Sequence, residues 1–337
     1  MNIVMVGIDY KITSIELREN ISFTSIEVRK SLLRMKENYN ISGVVIISTC
    51  NRTEVYISYD KSEVEIDPIS FFCEAAKFCE RDFKNHLYIK KDEKAMSYLF
   101  ELACGIHSMI FGEDQIISQV KEAIHIAKEE KASDATLNTL FRYVVTCAKK
   151  VKTQLVLRSV SPSVASYSIK LLEEFISKNY KTKALVIGNG VIGRMVCEEL
   201  LLKGCKVFVT KRTCNNKETI VPIGCITIDY EQRETLIHQV DILISATSSP
   251  HQTISHKMIA VCEKKPEYVI DLAVPRDIDP EIQRIEGMHY YNIDTLGKTG
   301  RRDNSKEIES MKILIREYMG KFQKWKDNKR VSLNNFL

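Results

Sequence analysis

The spacing of apolar residues divides the chain into successive stretches. The first contains short apolar runs at 3–6 and 44–47 and an alternating run at 54–59, which predict strands, the last of them half-exposed. From 92 to about 154 the apolar residues recur at helical spacing instead. After a linker-like segment at 159–163, strand and helix patterns alternate, as is typical of a parallel sheet with helices on both faces.

A further amphipathic pattern lies near the C-terminus. Its apolar residues are spaced alternately three and four positions apart, as on a helix that buries one face. They are Ile308, Met311, Ile315, Tyr318, Phe322 and Trp325. Because a helix of this length is only marginally stable alone, we expect this seam to be buried, either against the same chain or against a second copy.

Composition narrows the class of protein. The 337 residues are 44% hydrophobic and 28% charged, as in an ordinary soluble globular protein, and no apolar run approaches the roughly 18 residues of a membrane span. Ten cysteines without a C-x-x-C pair argue against a zinc site and against a secreted disulfide framework. We therefore expect a cytoplasmic protein with reduced thiols, no metal and no membrane contact. Its net charge of +5 is compatible with a polyanionic partner without requiring one.

A glycine-rich loop follows the strand predicted at 184–187 and precedes a predicted helix. It has the form G-x-G-x-x-G, in which the glycines allow a tight turn and a close approach of the backbone to a pyrophosphate at the helix N-terminus. Between a strand and a helix this motif predicts a Rossmann-type dinucleotide site; a turn without a ligand is the alternative. The expected cofactor-binding residues are Gly188, Asn189, Gly190, Val191, Ile192 and Gly193.

The residues after the next predicted strand indicate which dinucleotide binds. An NAD enzyme usually carries an acidic residue there for the ribose 2′-hydroxyl. This chain has Lys211, Arg212 and Thr213 instead. Two cations and a hydroxyl suit the 2′-phosphate of NADPH, and a solvated basic turn is the alternative.

Cys50 lies in a polar turn between two predicted strands and is the candidate nucleophile. The guanidinium of Arg52 should lower the thiol pKa, and turn N–H groups can stabilise an oxyanion; inert burial of the thiol is the alternative. A thiol combined with a nicotinamide domain suggests that an activated acyl group forms a thioester, from which hydride transfer releases an aldehyde.

Several motifs in one order resemble glutamyl-tRNA reductase over residues 1 to about 327. They are Gly7-Ile8 with Leu17-Arg18-Glu19, the catalytic loop from Ser48 to Glu54, the substrate segment Ser108-Met109, Gly112-Glu113 and Gln115 to Lys121, and the signature from Ile270 to Asp277. The resemblance implies an α/β protein: an N-terminal α+β catalytic domain over 1–158, a doubly wound Rossmann-type NADP-binding domain over 159–296, and a C-terminal connecting helix within 297–337.

The resemblance also implies a reaction. Cys50 would take the glutamyl group from glutamyl-tRNA(Glu), and NADPH would reduce the thioester to glutamate-1-semialdehyde, the first step of tetrapyrrole biosynthesis. The glutamate pocket would be lined by Thr49, Asn51, Arg52, Ser108, Glu113, Asp114, Gln115 and Gln119. The fork of Arg52 suits the substrate carboxylate. Helix capping and a polar helix face are the alternatives for Ser108, Glu113 and Gln119.

Three positions depart from the family pattern. Tyr98 stands where the family usually has a histidine, His107 where it has an aspartate, and Asp114 where it has a proline. We expect Tyr98 or His107 to take over the polar role of the family histidine, so both are candidate catalytic residues. The alternative is that both pack or face solvent.

The family resemblance also bears on partners. It implies a homodimer, which the short C-terminus should weaken or remove, with the C-terminal helix packed on its own chain, and glutamate-1-semialdehyde aminomutase as a further partner. Two other functions stay open: an NADP-dependent dehydrogenase of a small oxo or hydroxy acid in which Cys50 is structural, and a non-catalytic relative that binds tRNA or a pathway partner.

Overall fold

The computed structural model describes most of the chain. The described residues are 2–60, 66–76, 86–109, 111–113, 115–154, 164–211, 221–247, 249–299 and 304–334. Asp114, Arg212, Thr213 and the predicted linker at 159–163 therefore lie outside the described residues. The chain forms two compact units, Met1–Ser161 with Arg302–Leu337, and Pro162–Arg301. No helix within the described part is long and apolar enough to cross a membrane.

The first unit is built on a four-stranded antiparallel sheet in the order β2-β3-β1-β4. Its strands are β1 (Asn2–Asp9), β2 (Gly43–Thr49), β3 (Arg52–Tyr59) and β4 (Tyr88–Lys91). Its helices are α1 (Ile15–Ile21), α2 (Ser25–Asn38), α3 (Pro68–Ala76), α4 (Asp92–Ala103), α5 (Gln115–Glu129), α6 (Ala135–Gln154) and, from the C-terminus, α12 (Ser305–Asn334).

The prediction of a half-exposed strand at 54–59 is wrong. Every residue of β3 from Arg52 to Ser58 is buried, including the polar Glu54 and Ser58. The reason is tertiary: α3 and α4 pack on β1, and α2 and α5 pack on β2, so that helices cover the sheet. One face of β3 therefore contacts a buried polar network and the other an apolar core, and neither face contacts solvent from Arg52 to Ser58.

Helix α12 buries its seam within its own unit. Met311, Ile315, Tyr318 and Phe322 are buried and belong to the same apolar core as α4 and α6. Tyr143 of α6 lies edge-on to the rings of Tyr318 and Phe322, each at a centroid distance of 6.5 Å. This confirms that the helix packs on its own chain, and the strength of any dimer stays a prediction.

The second unit is a six-stranded parallel sheet in the order β10-β9-β8-β5-β6-β7. The strands are β5 (Lys183–Ile187), β6 (Lys206–Lys211), β7 (Ile226–Asp229), β8 (Ile242–Ser245), β9 (Tyr268–Asp271) and β10 (His289–Asn292). The helices are α7 (Val164–Lys178), α8 (Val191–Leu202), α9 (Arg233–Ile237), α10 (His256–Ala260) and α11 (Ile293–Thr299). The strand order reverses between β5 and β8, and this switch point is where a doubly wound sheet binds its ligand. The predicted Rossmann-type fold is confirmed.

The packing of α12 leads to a stability prediction. Phe322 is 1% exposed, so Phe322→Ala should lower the free energy of unfolding of the first unit by about 3–5 kcal/mol through lost burial and a residual cavity. Trp325 is the only tryptophan and stacks on Phe322 at 5.7 Å, so its fluorescence in a urea titration reports this unit. Ile313→Ala on the same helix is the control, because Ile313 is 61% exposed. Equal urea midpoints for the two variants would contradict the burial of the seam.

Candidate active site and nucleotide site

Cys50 and Asn51 form the two-residue turn between β2 and β3. Hairpins this tight usually place turn residues in the left-handed backbone region, and neither of these residues does so. The turn is held by contacts from other elements instead. The Arg18 NH1 donates to the Cys50 carbonyl at 2.9 Å and to Asn51 Oδ1 at 3.3 Å, and the Tyr10 N–H donates to the Asn51 carbonyl at 2.9 Å. The Asn51 N–H donates to Thr49 Oγ1 at 3.2 Å and so serves the turn itself.

Arg18 is a site residue that the sequence argument missed. It is buried on α1 between Ile15 and Ile21, which are also buried. A cation at a position where helical spacing calls for an apolar residue was the signal that could have identified it. The motif Leu17-Arg18-Glu19 carried the family resemblance without indicating this contact.

The Cys50 thiol does not have the low pKa that its neighbour Arg52 was expected to produce. The residue is half-buried, and desolvation by the surrounding protein raises the thiol pKa to about 12. The charge of Glu113 raises the pKa further, while Arg18 and Arg52 oppose it. Arg52 does lower the thiol pKa, as expected. The prediction of a low thiol pKa is nevertheless wrong for the protein without substrate, because burial and Glu113 raise the pKa by more.

Arg52 is engaged inside the protein. Its NH1 forms a buried ion pair with Glu54 Oε1 at 2.9 Å and donates to the Tyr98 hydroxyl at 2.8 Å, and its NH2 donates to the His107 carbonyl. The two side chains of the ion pair are 2% and 0% exposed. Arg52 therefore joins the start of β3 to α4 and to the loop after it, and these contacts use part of the fork that was expected to bind the substrate carboxylate.

Glu54 is the second site residue that the sequence argument missed. Besides Arg52, its Oε1 accepts from the hydroxyls of Tyr88 at 2.7 Å and Tyr98 at 3.0 Å, and its Oε2 accepts from Tyr56 at 2.8 Å. Burial and the Glu54 charge raise the pKa of all three tyrosines. These hydroxyls therefore stay protonated and act as donors.

Two of the three departures from the family pattern, Tyr98 and His107, lie within the described residues, and they contact each other. Their rings stack at a centroid distance of 4.6 Å. The His107 Nε2 lies 2.7 Å from Glu101 Oε2, and this hydrogen bond lowers the pKa of Glu101. Both residues therefore lie in a polar network and not in solvent. Their catalytic role stays a prediction.

The loop between α4 and α5 brings Ser108 and Glu113 to the same region. It closes on itself where Gly112 N–H donates to the Gly105 carbonyl at 3.2 Å, and a Cβ on Gly105 would meet Gly112 Cα at 2.7 Å. Ser108 is buried, and its carbonyl accepts from the Tyr10 hydroxyl at 3.3 Å. Burial raises the pKa of Glu113, against the opposing effects of the Ser108 hydroxyl and Arg52.

The predicted pocket residues are thus only partly brought together. Five of them act on one another through the contacts and charges described above: Cys50, Asn51, Arg52, Ser108 and Glu113. Thr49 is half-buried at the end of β2, and Gln115 and Gln119 are half-buried one turn apart at the start of α5.

The glycine loop of the second unit has the shape that a pyrophosphate requires. Gly188 has a φ of +100°, and a Cβ there would lie 2.6 Å from the Ala246 carbonyl oxygen. A Cβ on Gly193 would lie 1.9 Å from the Gly188 carbonyl oxygen. At Gly190, which precedes α8 without a side-chain cap, the space is open. The helix N-terminus is therefore available to a phosphate, and the residues present fit a dinucleotide.

Two further residues of this unit shape the crevice. Thr210 Oγ1 accepts from the Gly188 N–H at 3.0 Å, which ties the end of β6 to the loop. Asp277 is fully buried and accepts from Ser245 Oγ at 2.8 Å and from the Thr247 N–H at 2.8 Å, so it holds the chain that leaves β8. Lys211 is half-buried at the carboxyl end of β6.

Comparisons with known proteins match a separate family to a range within each unit. Residues 6–155 match the family model described as glutamyl-tRNAGlu reductase, N-terminal domain, and residues 170–299 match the one described as shikimate / quinate 5-dehydrogenase. The second unit is accordingly of the dehydrogenase type that takes a nicotinamide cofactor.

Individual relatives extend this likeness over nearly the whole chain. The chain is 41% identical to the glutamyl-tRNA reductase of Acetivibrio thermocellus, over 96% of this chain and 97% of that protein. It is also 41% identical to the probable multifunctional siroheme biosynthesis protein HemA of Ruminiclostridium josui, but spans only 63% of that protein's length. The solved glutamyl-tRNA reductase of Methanopyrus kandleri is 25% identical, with a TM-score of 0.51, over 97% of this chain and 80% of that one. The chain therefore belongs to the glutamyl-tRNA reductase family.

Proposed function

We propose that this protein reduces glutamyl-tRNA(Glu) to glutamate-1-semialdehyde with NADPH, the first step of tetrapyrrole formation from glutamate. The observation that carries the proposal is a half-buried cysteine on a hairpin turn that Arg18 holds by a hydrogen bond, under the charges of two guanidinium groups and a half-buried carboxylate, in a chain that also has a dinucleotide-binding fold. Family membership supports the same reaction. The product aldehyde would pass to glutamate-1-semialdehyde aminomutase, the partner that the resemblance implies.

In the first step, Cys50 Sγ attacks the carbonyl carbon of the glutamyl ester. A carbon–sulfur bond forms, the bond to the tRNA ribose oxygen breaks, and that oxygen leaves as the hydroxyl of the tRNA after taking up a proton. Burial and the charge of Glu113 raise the thiol pKa, so a substrate that offsets either cause would help to activate the nucleophile. Glu113 provides a route, because the α-ammonium of a bound glutamyl group would neutralise its charge and so remove one cause of the raised pKa.

In the second step the thioester is reduced. NADPH, when bound, supplies the hydride to the thioester carbonyl carbon, after which the carbon–sulfur bond breaks and the aldehyde leaves. The N-terminus of α8 would hold the pyrophosphate of this cofactor, and Lys211 would pair with its 2′-phosphate. The departing thiolate is stabilised by the positive charges of Arg18 and Arg52, which favour the charged form of Cys50.

The covalent step is tested by Cys50→Ser. This variant should lose reductase activity while it keeps NADPH binding and the thermal unfolding profile, because the substitution only replaces one sulfur atom with oxygen in a half-buried turn. Without NADPH, mass spectrometry of the unmodified protein after incubation with glutamyl-tRNA should show a glutamyl adduct on Cys50. Near-normal turnover by the serine variant would exclude the covalent mechanism. NADPH oxidation that needs no RNA would favour the dehydrogenase alternative, and binding without turnover the non-catalytic one.

The role of Glu113 is tested by two measurements that should move in opposite directions. In the protein without substrate, Glu113→Gln should speed alkylation of Cys50 by iodoacetamide at pH 8, by about several-fold, because loss of the negative charge lowers the thiol pKa. The same variant should lower kcat/KM for glutamyl-tRNA, since the ammonium loses its partner. Glu122→Gln is the control, because Glu122 is exposed on α5. Slower alkylation in Glu113→Gln would contradict the assignment.

The cofactor choice is tested at Lys211. A charged contact to the 2′-phosphate contributes roughly 1.5–3 kcal/mol, so the unmodified protein should prefer NADPH over NADH by about tenfold or more in kcat/KM. Lys211→Ala should narrow this ratio. Lys206→Ala is the control, because Lys206 is exposed at the opposite end of the same strand. Equal kcat/KM for the two cofactors in the unmodified protein would refute the proposal.

A further inference from the structure

We propose that Arg18 is a positioning residue for the Cys50 nucleophile. Its guanidinium holds the hairpin turn by donating to the Cys50 carbonyl and to the side-chain oxygen of Asn51. It also supplies the larger of the two positive-charge effects that favour the thiolate. This proposal rests on the proposed role of Cys50. It concerns a residue of α1 that neither the motif reading nor the family comparisons assign to the reaction.

The first argument is the geometry of the turn. One nitrogen of Arg18, NH1, donates both to the Cys50 carbonyl at 2.9 Å and to Asn51 Oδ1 at 3.3 Å. Cys50 and Asn51 lie outside the left-handed region, so the turn lacks the backbone conformation that stabilises most two-residue hairpin loops. A donor that reaches two acceptors of the same turn supplies the missing constraint.

The second argument is the rigidity of the donor. Arg18 is 3% exposed and lies between the buried Ile15 and Ile21 on one face of α1. Packing of the aliphatic stem removes the rotamer freedom that a surface arginine retains, so the guanidinium is held in place before substrate binds. The turn is therefore fixed relative to a helix and not only to its own strands.

The third argument concerns charge. The charged side chains that act on Cys50 are Glu113, Arg18 and Arg52, with Glu113 opposing the thiolate and the two arginines favouring it. Arg52 forms an ion pair with Glu54 at 2.9 Å, and the opposite charge of this partner offsets the field of Arg52 at the sulfur. The larger favourable effect accordingly comes from Arg18.

The test measures the reactivity of Cys50 without tRNA or cofactor, so its result is independent of whether the proposed reaction is correct. Alkylation by iodoacetamide is followed on the Cys50 peptide by mass spectrometry from pH 7 to pH 10. In the unmodified protein the rate should rise about tenfold per pH unit throughout, because a pKa of about 12 lies above the range and the thiolate fraction grows without a plateau.

Arg18→Met is the main variant, since methionine keeps an unbranched apolar stem in a buried position. Loss of the charge raises the thiol pKa, so alkylation at pH 8 should slow by about tenfold for each unit of the rise. In the reductase assay kcat should fall while KM for glutamyl-tRNA stays within about twofold, because the turn and not the binding surface is affected. Arg29→Met is the matched control, since Arg29 pairs with Glu129 and Glu130 on the surface.

Alkylation rates and kcat equal to those of the Arg29 control would overturn the proposal. Folding is monitored by Trp325 fluorescence. If Arg18→Met does not fold, Arg18→Gln is measured in its place: slower alkylation together with a reduced kcat supports the proposal, because glutamine removes the positive charge from the turn, and unchanged values of both overturn it. Partial recovery of alkylation in Arg18→Ala on adding guanidinium ion, absent in Arg29→Ala, is a further expected result.

Discussion

The ion pair between Arg52 and Glu54 is the interaction on which the first unit depends. Both charges are almost completely removed from water, and such a pair is tolerated only when its remaining hydrogen-bonding groups are satisfied. Three tyrosine hydroxyls and the His107 carbonyl meet this requirement. The partners come from β3, β4, α4 and the following loop, so satisfying one buried ion pair also fixes how these four segments meet near the Cys50 turn.

This constraint explains why Arg18, and not the adjacent Arg52, holds the turn that carries the thiol. Arg52 follows the turn directly, but its guanidinium forms a buried ion pair with Glu54 in the interior of the unit. Arg18 lies on α1, and its NH1 donates to the Cys50 carbonyl. Arg52 therefore pairs with Glu54 while Arg18 contacts the turn, because leaving a buried carboxylate without a cation costs about 3–5 kcal/mol.

The second unit also has buried carboxylates near the ends of its strands. Asp277 is buried and accepts from the Ser245 hydroxyl and the Thr247 N–H, while Asp271 accepts from the Ala273 and Ile278 N–H groups. In each case a carboxylate near a strand end collects donors that would otherwise be unpaired. The crevice at the switch point is therefore bordered by backbone held in one conformation, which suits a site that selects one conformation of a flexible dinucleotide.

What the sequence by itself determined is local. The parallel sheet, the glycine loop, the turn that carries Cys50 and the apolar seam of α12 could all be read from periodicity and short motifs, because they depend on neighbouring residues. Only the tertiary structure decided the partner of Arg52, the contact of Arg18, the burial of both faces of β3 and the high pKa of the thiol. Arg18 lies 32 residues before Cys50, and Tyr98 lies 46 residues after Arg52. Desolvation and the pairing of buried charges are set by such distant groups, and no local pattern specifies them.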